Sequence, residues 1–144
     1  MFSHITPDAD GLYGGFIVPK LHANYLFYTC HASLITGLYG LYRGNELAVY
    51  PLSVYIASMN YWRHPVNGLR RYTDMACAGI CIVSQTMDAR LYPNFANYLT
   101  TMFVGTLFYP LSFYFQYKYL PLSTFSHSLI HIVCNIANYL LYSN

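Results

Sequence analysis

The stretch Ser123–Tyr142, STFSHSLIHIVCNIANYLLY, decides how the rest of the chain is read. Most of it is apolar, and about 20 helical residues span a hydrocarbon core of ~30 Å. Yet His127 and His131 stand four apart, and Asn135 and Asn138 continue the spacing. At 3.6 residues per turn all four fall along one helical face. Polar groups set against lipid cost several kcal/mol each, so the stripe is expected to turn inward, onto neighbouring helices.

The composition extends that reading to the whole chain. Of 144 residues, 56% are hydrophobic and only 8% charged, against roughly 25% charged in an average soluble domain. The mean hydropathy, +0.30, is mild. Seventeen tyrosines account for this, since hydropathy scales penalise a ring that sits well at a bilayer interface. The expected fold is all-α: one polytopic transmembrane helix bundle over residues 24–144, after a polar N-terminal segment 1–23. That segment lacks a basic stretch followed by an apolar run, so a signal peptide is not expected. Entry into an organelle would then use internal signals or a presequence absent from this chain. The net charge of +2 comes without a basic stripe, so nucleic acid is not an expected partner. Cys30, Cys77, Cys81 and Cys134 all lie in apolar segments and read as small buried hydrophobes rather than a disulfide framework.

Five crossings are expected, over about Asn24–Tyr42, Leu47–Trp62, Tyr72–Met87, Phe95–Gln116 and Ser123–Tyr142. The second and third are short, which calls for tilt, thinning of the bilayer or a buried end. The connections RGNE, RHPVNGLRR, DARLYPN and YKYLP are brief and force antiparallel neighbours. Lys20, Arg63, Arg70, Arg71 and Lys118 fall on the N-terminal side, and Arg43 and Arg90 on the other. This bias places the N-terminus on the cytoplasmic or matrix side. Arg63, Arg70 and Arg71 read as anchors for lipid headgroups. Aromatic clusters such as Tyr61 and Trp62 read as interfacial belts. Gly105 and Pro110 suggest close packing and a kink. The repeated GLYG, at Gly11–Gly14 and Gly37–Gly40, reads as chance.

The third segment has its own polar line, Asp74, Cys77, Cys81, Ser84 or Gln85, and Asp88, which would meet the histidine stripe in a buried seam. Asp74, His127 and His131 lie towards the N-terminal side, with His64 in the loop there and Ser58 near the end of the second helix. This order resembles the CREST superfamily of membrane hydrolases, which includes alkaline ceramidases and adiponectin-receptor-like proteins. The matching residues are Ser58, His64, Asp74, His127 and His131, the last two forming the HxxxH of the final helix. The family has seven helices where five are expected here. The resemblance implies zinc held by His64, His127 and His131, with Asp74 and Ser58 acting on the zinc-bound water. Histidines at i and i+4 can share one metal, and Zn²⁺ lowers the pKa of its water to about 7.

Other readings stand beside it. His127 and His131 can serve as packing groups bonded to Asp74, Asn135 or backbone. His31 and His131, at similar depth, would suit bis-histidine haem or a pigment. The expected function is a small accessory or structural subunit of a larger membrane complex, held together by its polar seam. No cofactor is favoured, with zinc as the alternative. Membrane lipids and other membrane subunits are the expected partners. The setting is the mitochondrial inner or another energy-transducing membrane in preference to the endoplasmic reticulum.

Overall fold

The computed structural model describes residues 12–143. The chain is all-helical, with six α-helices among the described residues: α1 (Lys20–Thr29), α2 (His31–Tyr42), α3 (Val49–Trp62), α4 (Leu69–Asp88), α5 (Phe95–Gln116) and α6 (Leu120–Tyr142). Short 3₁₀ turns at Glu46–Ala48 and Ala89–Leu91 lead into α3 and out of α4. The five expected segments are all helical, and Phe95–Gln116 matches to the residue. The first is divided. Cys30 keeps helical dihedrals (φ −58°, ψ −25°), but Ser33 N–H donates to Cys30 O at 3.0 Å, tightening the junction to an i→i−3 turn. Nδ1 of His31 lies 3.2 and 3.1 Å from the Phe27 and Tyr28 carbonyls at the same point.

Only α6 among the described residues is long and apolar enough to cross a membrane by its own hydropathy, at a mean of 1.2. The reason lies in the composition of the others. Helix α4 carries Arg70, Arg71, Asp74 and Asp88, α5 is rich in tyrosine, and α1 to α3 are short.

Residues 1–11 of the N-terminal segment, and with them Gly11 of the first GLYG, lie outside the described residues. Beyond them Tyr13–Phe16 forms a tight turn, with N–H···O bonds of 2.8 and 3.3 Å in both directions. Gly14 and Gly15 supply the positive φ (61° and 84°) that such a turn requires. Ile17 N–H donates to Pro65 O at 3.0 Å, tying this segment to the α3–α4 loop.

Apolar packing gathers at the two ends of the bundle. Val18, Ala23, Leu26, Cys30, Tyr61 and Trp62 form one core beside the α3–α4 loop. Leu47, Tyr98, Met102, Ala137, Leu141 and Tyr142 form the other. Tyr61 and Trp62, read from sequence as belt residues, are therefore interior, because the N-terminal segment and α1 cover them. The closest helix pair is α5 with α6, and Gly105 explains its closeness. A Cβ there would stand 2.6 Å from Cys134 Sγ and 3.1 Å from Cys134 N. The second GLYG also has a packing role: a Cβ on Gly37 would strike Leu52 at 2.5 Å, and one on Gly40 would strike Ala48 at 2.8 Å. Helix α4 packs closely only on α3, while α5 packs on α6, so a cleft remains between α4 and α5.

Candidate functional site: a polar-lined cavity

The cleft leads into a cavity of about 410 Å³, within the roughly 300–1,000 Å³ of small-molecule sites. Its lining runs along α4 from Arg71 to Gln85, roughly 20 Å at 1.5 Å per residue. Met75, Ile82, Met102 and Ile130 give it apolar surface, and polar groups from α3, α4, α5 and α6 share the lining.

At its inner end the polar groups satisfy one another. Asn135 Oδ1 accepts from Thr36 Oγ1 (2.5 Å) and Asn138 Nδ2 (3.4 Å), and its Nδ2 donates to Ser33 Oγ (2.9 Å) and His131 O (2.6 Å). Gln85 Nε2 donates to Asn138 Oδ1 (3.1 Å) and Tyr142 Oη (2.9 Å), and Tyr142 Oη–H donates to Leu47 O (3.0 Å). The network fastens α6 to α2, α4 and the 3₁₀ turn before α3. Asparagine and glutamine suit this task, because each amide carries both donors and acceptors. The seam expected between the third and fifth segments is thus present at Gln85–Asn138, but Asn135 faces α2 instead.

The other end is different. Ser58 Oγ donates to Asp74 Oδ1 at 2.5 Å, so the two expected catalytic residues do meet, on the cavity wall. A short α3–α4 loop makes these helices antiparallel neighbours, which brings the end of α3 beside the start of α4. His127 and His131 line the same cavity, ring centroids 5.3 Å apart. His131 Nε2 lies 3.9 Å from Cys30 Sγ, and His127 sits edge-on to Trp62 at 5.1 Å.

His64 does not join them. It is exposed, outside the cavity, with its ring 4.9 Å from Phe16. Pro65 follows it directly, and the N-terminal segment takes its imidazole. The three-histidine set is therefore not assembled, and among the described residues no group of three His, Cys, Asp or Glu side chains is placed to hold a metal. His31 packs among Phe27, Tyr28 and Tyr55 and does not line the cavity that His131 lines. A pocket shared by the two for haem is not formed.

The three arginines separate. Arg63 and Arg70 are exposed, and Arg63 bonds to Asn60 Oδ1 at 3.2 Å. Arg71 is half-buried on the cavity lining, with Nη1 donating to Asn67 Oδ1 at 3.3 Å. Cys77 and Cys81 lie with sulfurs 3.9 Å apart on α4, and only Cys81 reaches the cavity. Asp88 accepts from Tyr50 Oη at the far end. Trp62 and Tyr109 also line the site and were not expected there. Tyr109 falls one turn from Gly105 on the face of α5 turned to α6, the signal that could have placed it.

Comparison with protein-family models, curated proteins and solved structures found no match to this chain.

Proposed function

We propose that this chain is a small multi-pass membrane protein serving as an accessory subunit of a larger membrane assembly. The observation that carries the reading is an inverted distribution of polarity. Ile35, Ile56, Ile80 and Phe103 expose 62–69% of their surface, while Asn135, Asn138 and Gln85 are buried. In water such apolar faces would drive association. In lipid they are the solvent-facing surface, and interior amides hold the helices together where the hydrophobic effect does not. Helices α5 and α6, with 22 and 23 residues, reach roughly 33–35 Å at 1.5 Å per residue, enough to span the core. In this reading α1 and α2 share one crossing, α3 and α4 are shorter ones, and the N-terminus faces the cytoplasm or matrix. Membrane lipids and neighbouring subunits cover the outer faces, and an energy-transducing membrane is the setting.

Native electrophoresis after mild detergent extraction tests the subunit assignment. A discrete assembly far above the 16.5 kDa of one chain is expected, whereas a bare monomer at every detergent strength overturns it.

A second reading, a CREST-like hydrolase of a lipid amide or ester, is favoured by the Ser58–Asp74 contact on the cavity that His127 and His131 line. It needs a third metal ligand in place of His64. About one zinc per purified chain, lost in His131→Ala, together with lipid-amide turnover lost in Ser58→Ala, would establish it. Protein without metal or turnover would eliminate it.

A further inference from the structure

The cavity end beside the α3–α4 loop holds two opposite charges that are not bonded to each other. The Arg71 guanidinium donates to Asn67, and the Asp74 carboxylate accepts from Ser58. Three residues apart on α4, both line the cavity together with Tyr61 and Tyr109. Aromatic rings complete this end: Trp62 and Tyr61 have centroids 4.6 Å apart, and Tyr109 stands 6.5 Å from His127.

A donor is also left over. Trp62 is 7% exposed, and its Nε1 is the one buried side-chain nitrogen or oxygen without a hydrogen-bond partner among the described residues. A buried polar group without a partner costs about 1–3 kcal/mol and calls for explanation. His127 is half-buried on the cavity wall, and no hydrogen bond to its imidazole is found among the described residues.

We propose that this end of the cavity binds the headgroup of a zwitterionic phospholipid, whose acyl chain lies along the cleft between α4 and α5. Arg71 takes the phosphate, because a guanidinium fork matches phosphate oxygens in charge and geometry. Asp74 takes the cationic end, aided by the faces of Tyr109 and Tyr61, as aromatic rings attract ammonium groups. The half-buried His127 imidazole on the cavity wall offers a polar group to phosphate or ester oxygens, and the Trp62 ring supplies an apolar face. An anionic phosphatidylglycerol would match Arg71 but leave Asp74 without a cationic partner, and a neutral glyceride would leave both charges unmatched. Met75, Ile82 and Met102 flank the cleft with apolar surface, and its lateral opening admits a lipid from the bilayer plane. The inference rests on the membrane reading above and adds the lipid class.

Trp62 is the only tryptophan, so its emission reports on this site alone. The test uses full-length protein, delipidated in a maltoside detergent and titrated with three lipids of one acyl chain: lysophosphatidylcholine, lysophosphatidylglycerol and monoacylglycerol. The proposal expects a saturable change in Trp62 emission with lysophosphatidylcholine, at least about tenfold tighter than with the other two, as one charge-assisted bond gives. Arg71→Gln and Asp74→Asn should each weaken it by about tenfold, with the helical circular dichroism unchanged. Inorganic phosphate should not compete. Equal affinity for all three lipids, or retention of the preference in both variants, overturns the proposal. Displacement by inorganic phosphate alone assigns the site to a free anion and also overturns it. A chain that stays soluble without detergent would instead refute the membrane reading, so the two failures are distinguishable.

Discussion

Asn135 is the centre of the network that joins α6 to α2, and its removal has a calculable effect. Its amide reaches across to Thr36 Oγ1 at 2.5 Å and Ser33 Oγ at 2.9 Å. Side-chain hydrogen bonds between membrane helices average about 0.6 kcal/mol, with a maximum near 1.7. Two such bonds put the loss in Asn135→Leu at about 1 kcal/mol, and at most about 3. The Thr36 hydroxyl has a fallback, since the Ala32 carbonyl lies 3.0 Å away. Asn138 Nδ2 loses its acceptor, Asn135 Oδ1 at 3.4 Å, so part of the loss belongs to that stranded donor. A double-mutant cycle separates these contributions. Asn135→Leu, Thr36→Val and the double variant are unfolded in mixed micelles by increasing dodecyl sulfate, with helicity as the readout. A coupling of about 0.5–1.5 kcal/mol between positions 99 residues apart in sequence is expected for groups in direct contact. Additivity within about 0.3 kcal/mol would refute the claim that this contact joins the helices.

Gly105→Ala should destabilise the bundle by about 1–3 kcal/mol, the usual cost of overpacking, because the new methyl meets Cys134 Sγ at 2.6 Å and its backbone N at 3.1 Å. Gly79→Ala, with nothing within 4 Å, is the control and should leave the midpoint unchanged or raised. Equal midpoints for the two variants in the same micelle titration would contradict the close α5–α6 approach. Gln85→Leu should cost about 1–3 kcal/mol, since it strands Asn138 Oδ1 and removes a partner of Tyr142, and a midpoint like wild type would contradict the network. His64→Ala should leave stability within about 0.5 kcal/mol of wild type and metal content unchanged, because the ring is exposed and outside the cavity. Loss of a bound metal in that variant would show that the loop re-forms around it.

The helices were legible because apolar periodicity and short charged loops mark them directly. What the helices face was not, because a stripe shows which side of a helix turns inward without naming its neighbour. Asn135 therefore met Ser33 and Thr36 on α2 where the seam was expected on α4. The break at Cys30 carries no Gly or Pro, the residues that usually punctuate a helix, so the first segment read as continuous. His64 was placed in the site by order along the chain alone. Its side-chain direction depends on Phe16, in a segment whose course no periodicity describes. Ser58 and Asp74 come together as their positions on adjacent segments suggest, because the short loop between α3 and α4 leaves little freedom in how those helices meet. Trp62 was missed because an aromatic at a helix end looks the same whether it faces lipid or core.

The central claim is that all of these helices, and not α6 alone, lie in the membrane. Single cysteines at Gly44, Asn67, Asn94 and Lys118, in a background with Cys30, Cys77, Cys81 and Cys134 replaced by serine, place one thiol in each loop. An impermeant thiol reagent applied to sealed membranes and then to opened ones reports the side of each. The account predicts alternation, with residues 67 and 118 on the N-terminal side and 44 and 94 on the other. All four thiols on one side would contradict it and leave α6 as the only crossing.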